Sequence, residues 1–183
     1  MRKVRKRKVK RYDWLVDQIH KNQYQVGAEV GCAEGNTTVR LLQSCPQLRL
    51  YAVDLWGSQF GRYSSYSQEI YRHWDFVRIM TQFTDRMYPY RDRVIILRGC
   101  SWEMAEKVEE PLDFVFIDAD HTYTAVKKDV QAWGKVLRGE GLISGHDCNL
   151  EGVREALNEV LPGWKYTGVD NVWCGVKEQI RWE

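Results

Sequence analysis

Acidic side chains and histidines follow two predicted strands of this chain, at the point where each strand ends. FVFIDADH places Asp118, Asp120 and His121 after one strand, and LISGHD places His146 and Asp147 after the next. Carboxylates and imidazoles that meet on one edge of a sheet can hold a divalent metal, and a remaining imidazole can act as a general base. Alternatively, one Asp caps the following helix and one His is a hydrogen-bonded rim residue. We favour a bound cation or substrate, because crowding five ionisable side chains together is otherwise costly.

A glycine-rich stretch, VGAEVGCAEG at residues 26–35, forms a second candidate site. Its apolar start predicts a buried strand that turns at Gly31, and Asn36 opens a helix. Glycines at 31 and 35 let a ligand approach the backbone and the N-terminus of that helix. Asp54 follows Gly35 by 19 residues, close to the offset of roughly 20 at which a carboxylate accepts ribose hydroxyls. The stretch predicts a ligand that carries a ribose, and its spacing disfavours the G-x-G-x-x-G turn of dinucleotide enzymes.

The same stretch resembles the first motif of class I S-adenosylmethionine-dependent methyltransferases, in which an acid, here Glu29, precedes G-x-G-x-G, here Gly31, Ala33 and Gly35. FIDADHTYTAVKKDVQAW followed by GEGLISGHD resembles the small enzymes that cluster with sugar and antibiotic O-methyltransferases and, more distantly, catechol-type enzymes. The resemblance covers residues 25–176. It implies an S-adenosylmethionine cofactor and O-methylation of a small-molecule hydroxyl, on a sugar, phenolic or natural-product acceptor.

The resemblance also implies a cofactor site. Glu29 and Gly31 would border the methionine part of the cofactor, and Asp54 would hold the ribose. The loop after the third strand would flank the adenine through Ser101 and Trp102, although Trp102 is equally well explained as core. Gly35 and Asp118 complete the predicted cofactor-binding set.

Metal assistance is a further implication. In the metal-dependent members, acids after the fourth and fifth strands bind magnesium, and the matching positions here are Asp118, His146 and Asp147. His146 makes magnesium dependence a hypothesis, because imidazole is a poorer magnesium ligand than carboxylate. Without a metal, His121 or His146 would take the proton from the acceptor hydroxyl.

The elements that position these residues alternate between strand and helix. The apolar patterns predict strands at 26–30, 48–55, 94–97 and 112–117, a fifth beginning at 142–144 after Gly139 and Gly141 break the chain, and two more at 164–168 and 172–176. Helices are predicted at 12–20, 36–44, 123–133 and 152–161. This order predicts a Rossmann-like, doubly wound α/β fold with a mostly parallel seven-stranded sheet and a terminal antiparallel hairpin.

The long connection from residue 56 to residue 93 is rich in aromatic residues and is predicted to supply the acceptor side of the site. Ile70, Trp74, Val77 and Met80 or Thr81 fall at helical spacing, which predicts a helix packed on the sheet. Tyr63 and Tyr66, near Gly57 and Gly61, are predicted to form a lip over the pocket.

Composition indicates one globular domain at residues 12–183, preceded by a disordered basic tail at 1–11 that carries eight of the 27 Lys and Arg residues. No apolar run is long enough to span a membrane, and five scattered cysteines predict reduced thiols in a cytoplasm. The sequence leaves open whether the protein forms a homo-oligomer. The tail keeps two alternatives open, a nucleic-acid-associated methyltransferase and a non-catalytic cofactor-binding module. A nicotinamide oxidoreductase is disfavoured by the glycine spacing.

Overall fold

A seven-stranded sheet organises the protein, whose computed structural model describes residues 8–57, 69 and 71–182. The strand order is β3-β2-β1-β4-β5-β7-β6. The first five of these strands are parallel, whereas β7 runs antiparallel to both β5 and β6. The strands are β1 (Val26–Val30), β2 (Arg49–Asp54), β3 (Val94–Arg98), β4 (Leu112–Ile117), β5 (Leu137–Gly145), β6 (Lys165–Tyr166) and β7 (Trp173–Val176). The predicted fold class is confirmed.

Helices cover both faces of the sheet. In the described residues they are α1 (Arg11–Asn22), α2 (Asn36–Ser44), α3 (Phe76–Met87), α4 (Ser101–Met104), α5 (Tyr123–Val136) and α6 (Glu151–Val160). Successive side chains of a strand point to opposite faces, so Phe114 and Phe116 pack with α1, α2 and α3, and Val115 and Ile117 pack with α5 and α6. The central strands are therefore apolar on both sides, and their polar residues are confined to their ends.

Two predictions about chain segments need correction. Gly139 and Gly141 do not break the chain, because β5 begins at Leu137, directly after α5, and runs through both glycines. The predicted helical stripe is only partly correct, because Met80 packs against the core below the helix whereas Trp74 and Val77 are exposed. Helix α3 begins only at Phe76, and its buried residues are Phe83 and Met87, whereas Val77 is 80% exposed. Trp74 fits the helical spacing in the sequence, but it lies before α3 and lines the cavity described below.

Several predictions fall outside the described residues. The lip residues Tyr63 and Tyr66 lie there, as do Gly61, Ile70 and residues 1–7 of the basic tail. All five cysteines are described and none forms a disulfide. Within the described ranges, no helix combines the length and apolarity needed to cross a bilayer.

Candidate active site

A cavity of about 360 Å³ opens at the carboxyl ends of β1, β2, β4 and β5. Its volume falls within the roughly 300–1,000 Å³ of small-molecule sites, and its position is where open α/β sheets bind ligands. Most of the predicted site residues line it, namely Glu29, Gly31, Asp54, Ser101, Trp102, Asp118, His121, His146 and Asp147. Gly35 is not part of the wall but is the N-cap residue directly before α2.

The turn after β1 is held close to the end of β4. Gly31 has φ +91°, and a Cβ built there would lie 2.1 Å from the carbonyl oxygen of Asp118. The Gly31 N–H donates to the Val53 carbonyl at 2.8 Å, and the Asp118 N–H donates to the Val30 carbonyl at 2.7 Å. Only glycine fits this position, because the backbone conformation and the close approach both exclude a side chain.

Asp54 ends β2 and supports the same turn. Its carboxylate accepts hydrogen bonds from the N–H groups of Ala33 and Trp56, each at 2.8 Å. Ala33 itself has φ +45°, so this bond stabilises a non-glycine residue in the left-handed conformation. Burial raises the pKa of Asp54 despite these backbone donors. Asp54 also lines the cavity.

Glu29 lies at the floor of the cavity and is almost fully buried. The Thr38 hydroxyl of α2 donates to its Oε2 at 2.6 Å. Burial raises the pKa of Glu29 to about 8, against the effect of the Thr38 hydrogen bond. A positively charged ligand group beside Glu29 would favour its ionised form.

Helix α4, which begins at Ser101 shortly after β3, is tied to α5 by a partly buried network. The Ser101 hydroxyl donates to Asp129 Oδ1, and the Trp133 indole N–H donates to Ser101 Oγ at 3.2 Å. Burial raises the pKa of Asp129 to about 7, and its Oδ2 has no hydrogen-bond partner in the described structure. Trp102 lines the cavity and is not core, with the Lys128 ammonium 4.6 Å from its ring centroid. The network fixes Ser101 beside Trp102.

Two aspartates and two histidines form one cluster at the ends of β4 and β5. His121 Nε2 lies 3.1 Å from Asp147 Oδ2 and 3.6 Å from Asp118 Oδ1. His146 Nδ1 lies 3.1 Å from Asp147 Oδ1 and 3.7 Å from Asp118 Oδ1. None of these imidazole nitrogens makes a well-aligned hydrogen bond, although all are buried. The four side chains predicted from the sequence are thus brought together.

Asp120, the fifth member of the predicted group, has a structural role. Its Oδ1 accepts the Thr122 N–H at 2.8 Å, just before α5. This bond closes an Asx turn ahead of the helix, whose N-cap is Thr122, so Asp120 supports the turn and does not itself cap α5.

Charges within the cluster shift its pKa values. Burial lowers the pKa of His121, but contact with Asp118 and the charge of Asp147 outweigh burial and raise that pKa above its ordinary value. Contact with His146 lowers the pKa of Asp147, and the charge of His121 adds to this effect. The cluster therefore stabilises a proton on His121.

The cluster has the donors of a divalent cation site. Ligand atoms of Asp118, His121 and Asp147 lie within 4.8 Å of one another. The sequence analysis named His146 as the third ligand, whereas this group contains His121. His146 contacts the carboxylates of Asp118 and Asp147 but is not part of the group. Buried imidazole nitrogens without hydrogen-bond partners fit metal ligation. Two carboxylates with an imidazole suit manganese or iron better than magnesium.

Arg11 also reaches into the site, although the sequence analysis placed it in the basic tail. It is the first residue of α1, and its Nη1 lies 2.8 Å from Asp118 Oδ2. Three aromatic residues also line the cavity: Tyr71 and Trp74, which precede α3, and Phe76, its first residue. The Tyr71 and Trp74 ring centroids are 4.8 Å apart in an edge-to-face arrangement. These rings are available to an apolar or aromatic acceptor.

Arg11, Trp56 and Asp129 are among the cavity-lining residues that sequence reasoning missed. Asp129 could have been found, because it lies in the same helical stripe as Val126, Val130 and Trp133 and is the one acid on that apolar face. Trp56 could also have been found, since it lies two residues after the end of β2. Arg11 gave no signal, because it is one cation in a basic run.

Comparison with known proteins assigns this site to a class. Residues 28–148, more than half of the chain, match the model of a family described as "Methyltransferase domain". The chain therefore belongs to the methyltransferase-domain family, and the predicted recognition is confirmed. No curated protein sequence gives a significant match.

Solved structures share the fold at low sequence identity. TomG of Streptomyces achromogenes, an O-methyltransferase involved in tomaymycin synthesis and solved with SAM, is 14% identical; 90% of this chain and 78% of that chain are covered, with a TM-score of 0.63. An O-methyltransferase from Bacillus cereus in complex with SAH is 18% identical, with 97% and 84% covered and a TM-score of 0.59. The SAH-bound methyltransferase PaMTH1 of Podospora anserina is 13% identical, with 94% and 77% covered and a TM-score of 0.62.

Proposed function

We propose that this protein is an S-adenosylmethionine-dependent O-methyltransferase that acts on a hydroxyl group of a small molecule. The observation that carries the proposal is the meeting of two sites in one cavity. The glycine turn with Asp54 lies on one side, and the cluster of Asp118, His121 and Asp147 lies on the other. Asp118 joins the two, because its backbone contacts Gly31 and its side chain contacts His121.

The cofactor side has groups for each part of S-adenosylmethionine. Asp54 would accept the ribose hydroxyls, and Trp102 with Ser101 would border the adenine. Burial raises the pKa of Glu29 to about 8. The ammonium group at the methionine end of the cofactor would favour the ionised form of Glu29 and pair with it. The SAM-bound and SAH-bound neighbours of the same fold support this cofactor.

Methyl transfer requires little covalent chemistry from the protein. The sulfonium of the cofactor supplies an activated methyl group, so the protein has to align the acceptor and remove its proton. His121 Nε2 is placed to take that proton, because Asp147 and Asp118 stabilise the imidazolium that results. His146 is a second imidazole in contact with the same two carboxylates.

A divalent cation would be held by Asp118, His121 and Asp147. When bound, it would supply a Lewis acid that lowers the pKa of an acceptor hydroxyl. His146 would then be the imidazole left for the proton.

The acceptor side favours a small ring or an apolar group. Tyr71, Trp74 and Phe76 present aromatic surface to the cavity, which suits a phenolic ring or the apolar face of a sugar. O-methyltransferase neighbours in the solved structures support a hydroxyl acceptor.

The proposal is tested by measuring S-adenosylhomocysteine formation from S-adenosylmethionine with catechol-type phenols and simple sugars. Each acceptor is compared with its methyl ether in which every hydroxyl is methylated, as the matched blocked acceptor. We expect turnover with at least one free hydroxyl acceptor, none with its methyl ether, and a large loss in His121→Gln. Transfer to an amine or to RNA, with none to any hydroxyl, would contradict the proposal.

A further inference from the structure

Carboxyl side chains outnumber basic side chains in the cavity, and this bears on how the cavity can bind a ligand carboxylate. Six of its lining side chains are carboxylic acids: Glu29, Asp54, Asp118, Asp120, Asp129 and Asp147. Among the described residues that line the cavity, Arg11 is the single Lys or Arg. The amino-acid end of the proposed cofactor carries an α-carboxylate. A carboxylate buried among acids without a cation is strongly disfavoured.

Arg11 is held in place before any ligand arrives. Its backbone N–H donates to Asp170 Oδ2 at 3.2 Å, which fixes the start of α1 to the turn between β6 and β7. Lys10 Nζ lies 3.8 Å from the other Asp170 oxygen, and the Lys10 N–H donates to Asp13 Oδ2 at 3.0 Å. The guanidinium is therefore presented to the cavity by an anchored backbone, which lowers the entropic cost of binding.

Arg11 also has donors to spare. A guanidinium has five N–H donors in a planar fork, and its contact with Asp118 Oδ2 uses Nη1. One third of the Arg11 side chain is exposed, so a ligand group can reach it. Its charge also acts on Glu29, where it lowers the pKa against the effect of burial. A cationic and an acidic group thus border the part of the cavity next to Gly31, which suits the two charges of an α-amino acid.

We propose that Arg11 binds the α-carboxylate of the cofactor's amino-acid end, using the guanidinium N–H donors that Asp118 leaves unoccupied. The inference rests on the proposed S-adenosylmethionine cofactor. It makes Arg11 a cofactor-binding residue, in contrast to a role as the counter-ion of Asp118 alone. The two roles predict different results, because only a cofactor-binding Arg11 would make ligand affinity depend on the ligand's carboxylate.

The test is a cycle of two proteins and two ligands, measured by calorimetry. The ligands are S-adenosylhomocysteine and its decarboxylated analogue, which keeps the nucleoside, the thioether and the amine. The variant is Arg11→Met, and the matched control is Lys10→Met, which removes one positive charge from the same helix start. We expect the wild-type protein to prefer S-adenosylhomocysteine over the analogue at least tenfold, equivalent to about 1.4 kcal/mol.

Arg11→Met should abolish that preference, and Lys10→Met should keep it within about threefold. Arg11→Lys, which keeps the charge and loses the fork, should retain part of the preference and serves if Arg11→Met does not fold. Equal affinity of the wild-type protein for both ligands, or an unchanged preference in the Arg11 variants, would overturn the inference while leaving the cofactor in place. Failure of the wild-type protein to bind either ligand would overturn the proposed cofactor itself.

Discussion

Replacing Gly31 with alanine is the most informative single change in the turn after β1. Gly31 has φ +91°, which costs an L-residue about 1–2 kcal/mol. The new Cβ would also lie 2.1 Å from the Asp118 carbonyl oxygen, whereas real Cβ atoms stay beyond 3.0 Å. The ends of β1 and β4 must therefore separate by about 0.9 Å, and overpacking of this kind costs about 1–3 kcal/mol more.

Gly168 provides the matched control. It also has a positive φ, +80°, but a Cβ built there meets nothing within 4 Å. Gly168→Ala should therefore cost only the backbone strain, about 1–2 kcal/mol, and Gly31→Ala about 2–5 kcal/mol. The difference between the two variants isolates the close approach of the turn to Asp118.

Urea denaturation measures both variants against the wild-type protein, with the m value checked for constancy. Calorimetry with S-adenosylhomocysteine gives the second readout, since Gly31 and Asp118 both line the cavity. We expect Gly31→Ala to lose binding and Gly168→Ala to keep it. Equal losses of stability in the two variants, or full cofactor affinity in Gly31→Ala, would refute the argument that this turn is packed against β4.

Three further predictions concern titration and stability. Burial raises the pKa of Asp129 to about 7 in the folded protein, whereas its ordinary pKa is 3.8. Between these two pH values the folded protein therefore holds a proton that the unfolded chain has released. Stability should therefore fall as the pH rises between about 4 and 7, and urea denaturation at pH 5 and 7 should show a smaller fall in Asp129→Asn. The pKa of His121, measured by NMR without metal, should lie above its ordinary 6.5 and fall in Asp147→Asn, because that charge favours the imidazolium; an unchanged pKa would contradict the cluster's electrostatics. Asp113 accepts the N–H groups of two residues and pairs with Arg138 at 2.7 Å, so Asp113→Asn should cost about 2–4 kcal/mol in urea denaturation, and a loss below 0.5 kcal/mol would contradict its role.

The order of the elements was predictable from the sequence, and two strands were placed without error. β1 and β4 match their predicted bounds at Val26–Val30 and Leu112–Ile117, because a short apolar run that ends at a glycine or an acid has few alternative structures. β5 was predicted too short, since Gly139 and Gly141 are usually chain breakers but lie here within a strand. Glycine propensity was overruled by the tertiary structure.

The candidate site was predictable where its residues follow strands. Asp118, His121, His146 and Asp147 all lie within four residues after the end of β4 or β5, and topology alone brings parallel strand ends together. Arg11 was not predictable, because its role depends on a contact with Asp118, 107 positions further along the chain. Short-range patterns carry no information on such contacts.

The central claim is that a cofactor with a ribose binds at the carboxyl ends of β1 and β2. Calorimetric titration with S-adenosylhomocysteine tests it most directly, comparing the wild-type protein with Asp54→Asn and with Asp92→Asn. Asp92 is exposed and outside the cavity, so it is the matched control. We predict micromolar binding that is weakened at least tenfold in Asp54→Asn and unchanged in Asp92→Asn, because Asp54 supports the turn and would accept the ribose hydroxyls. No binding by the wild-type protein, or equal binding by all three proteins, would contradict the account.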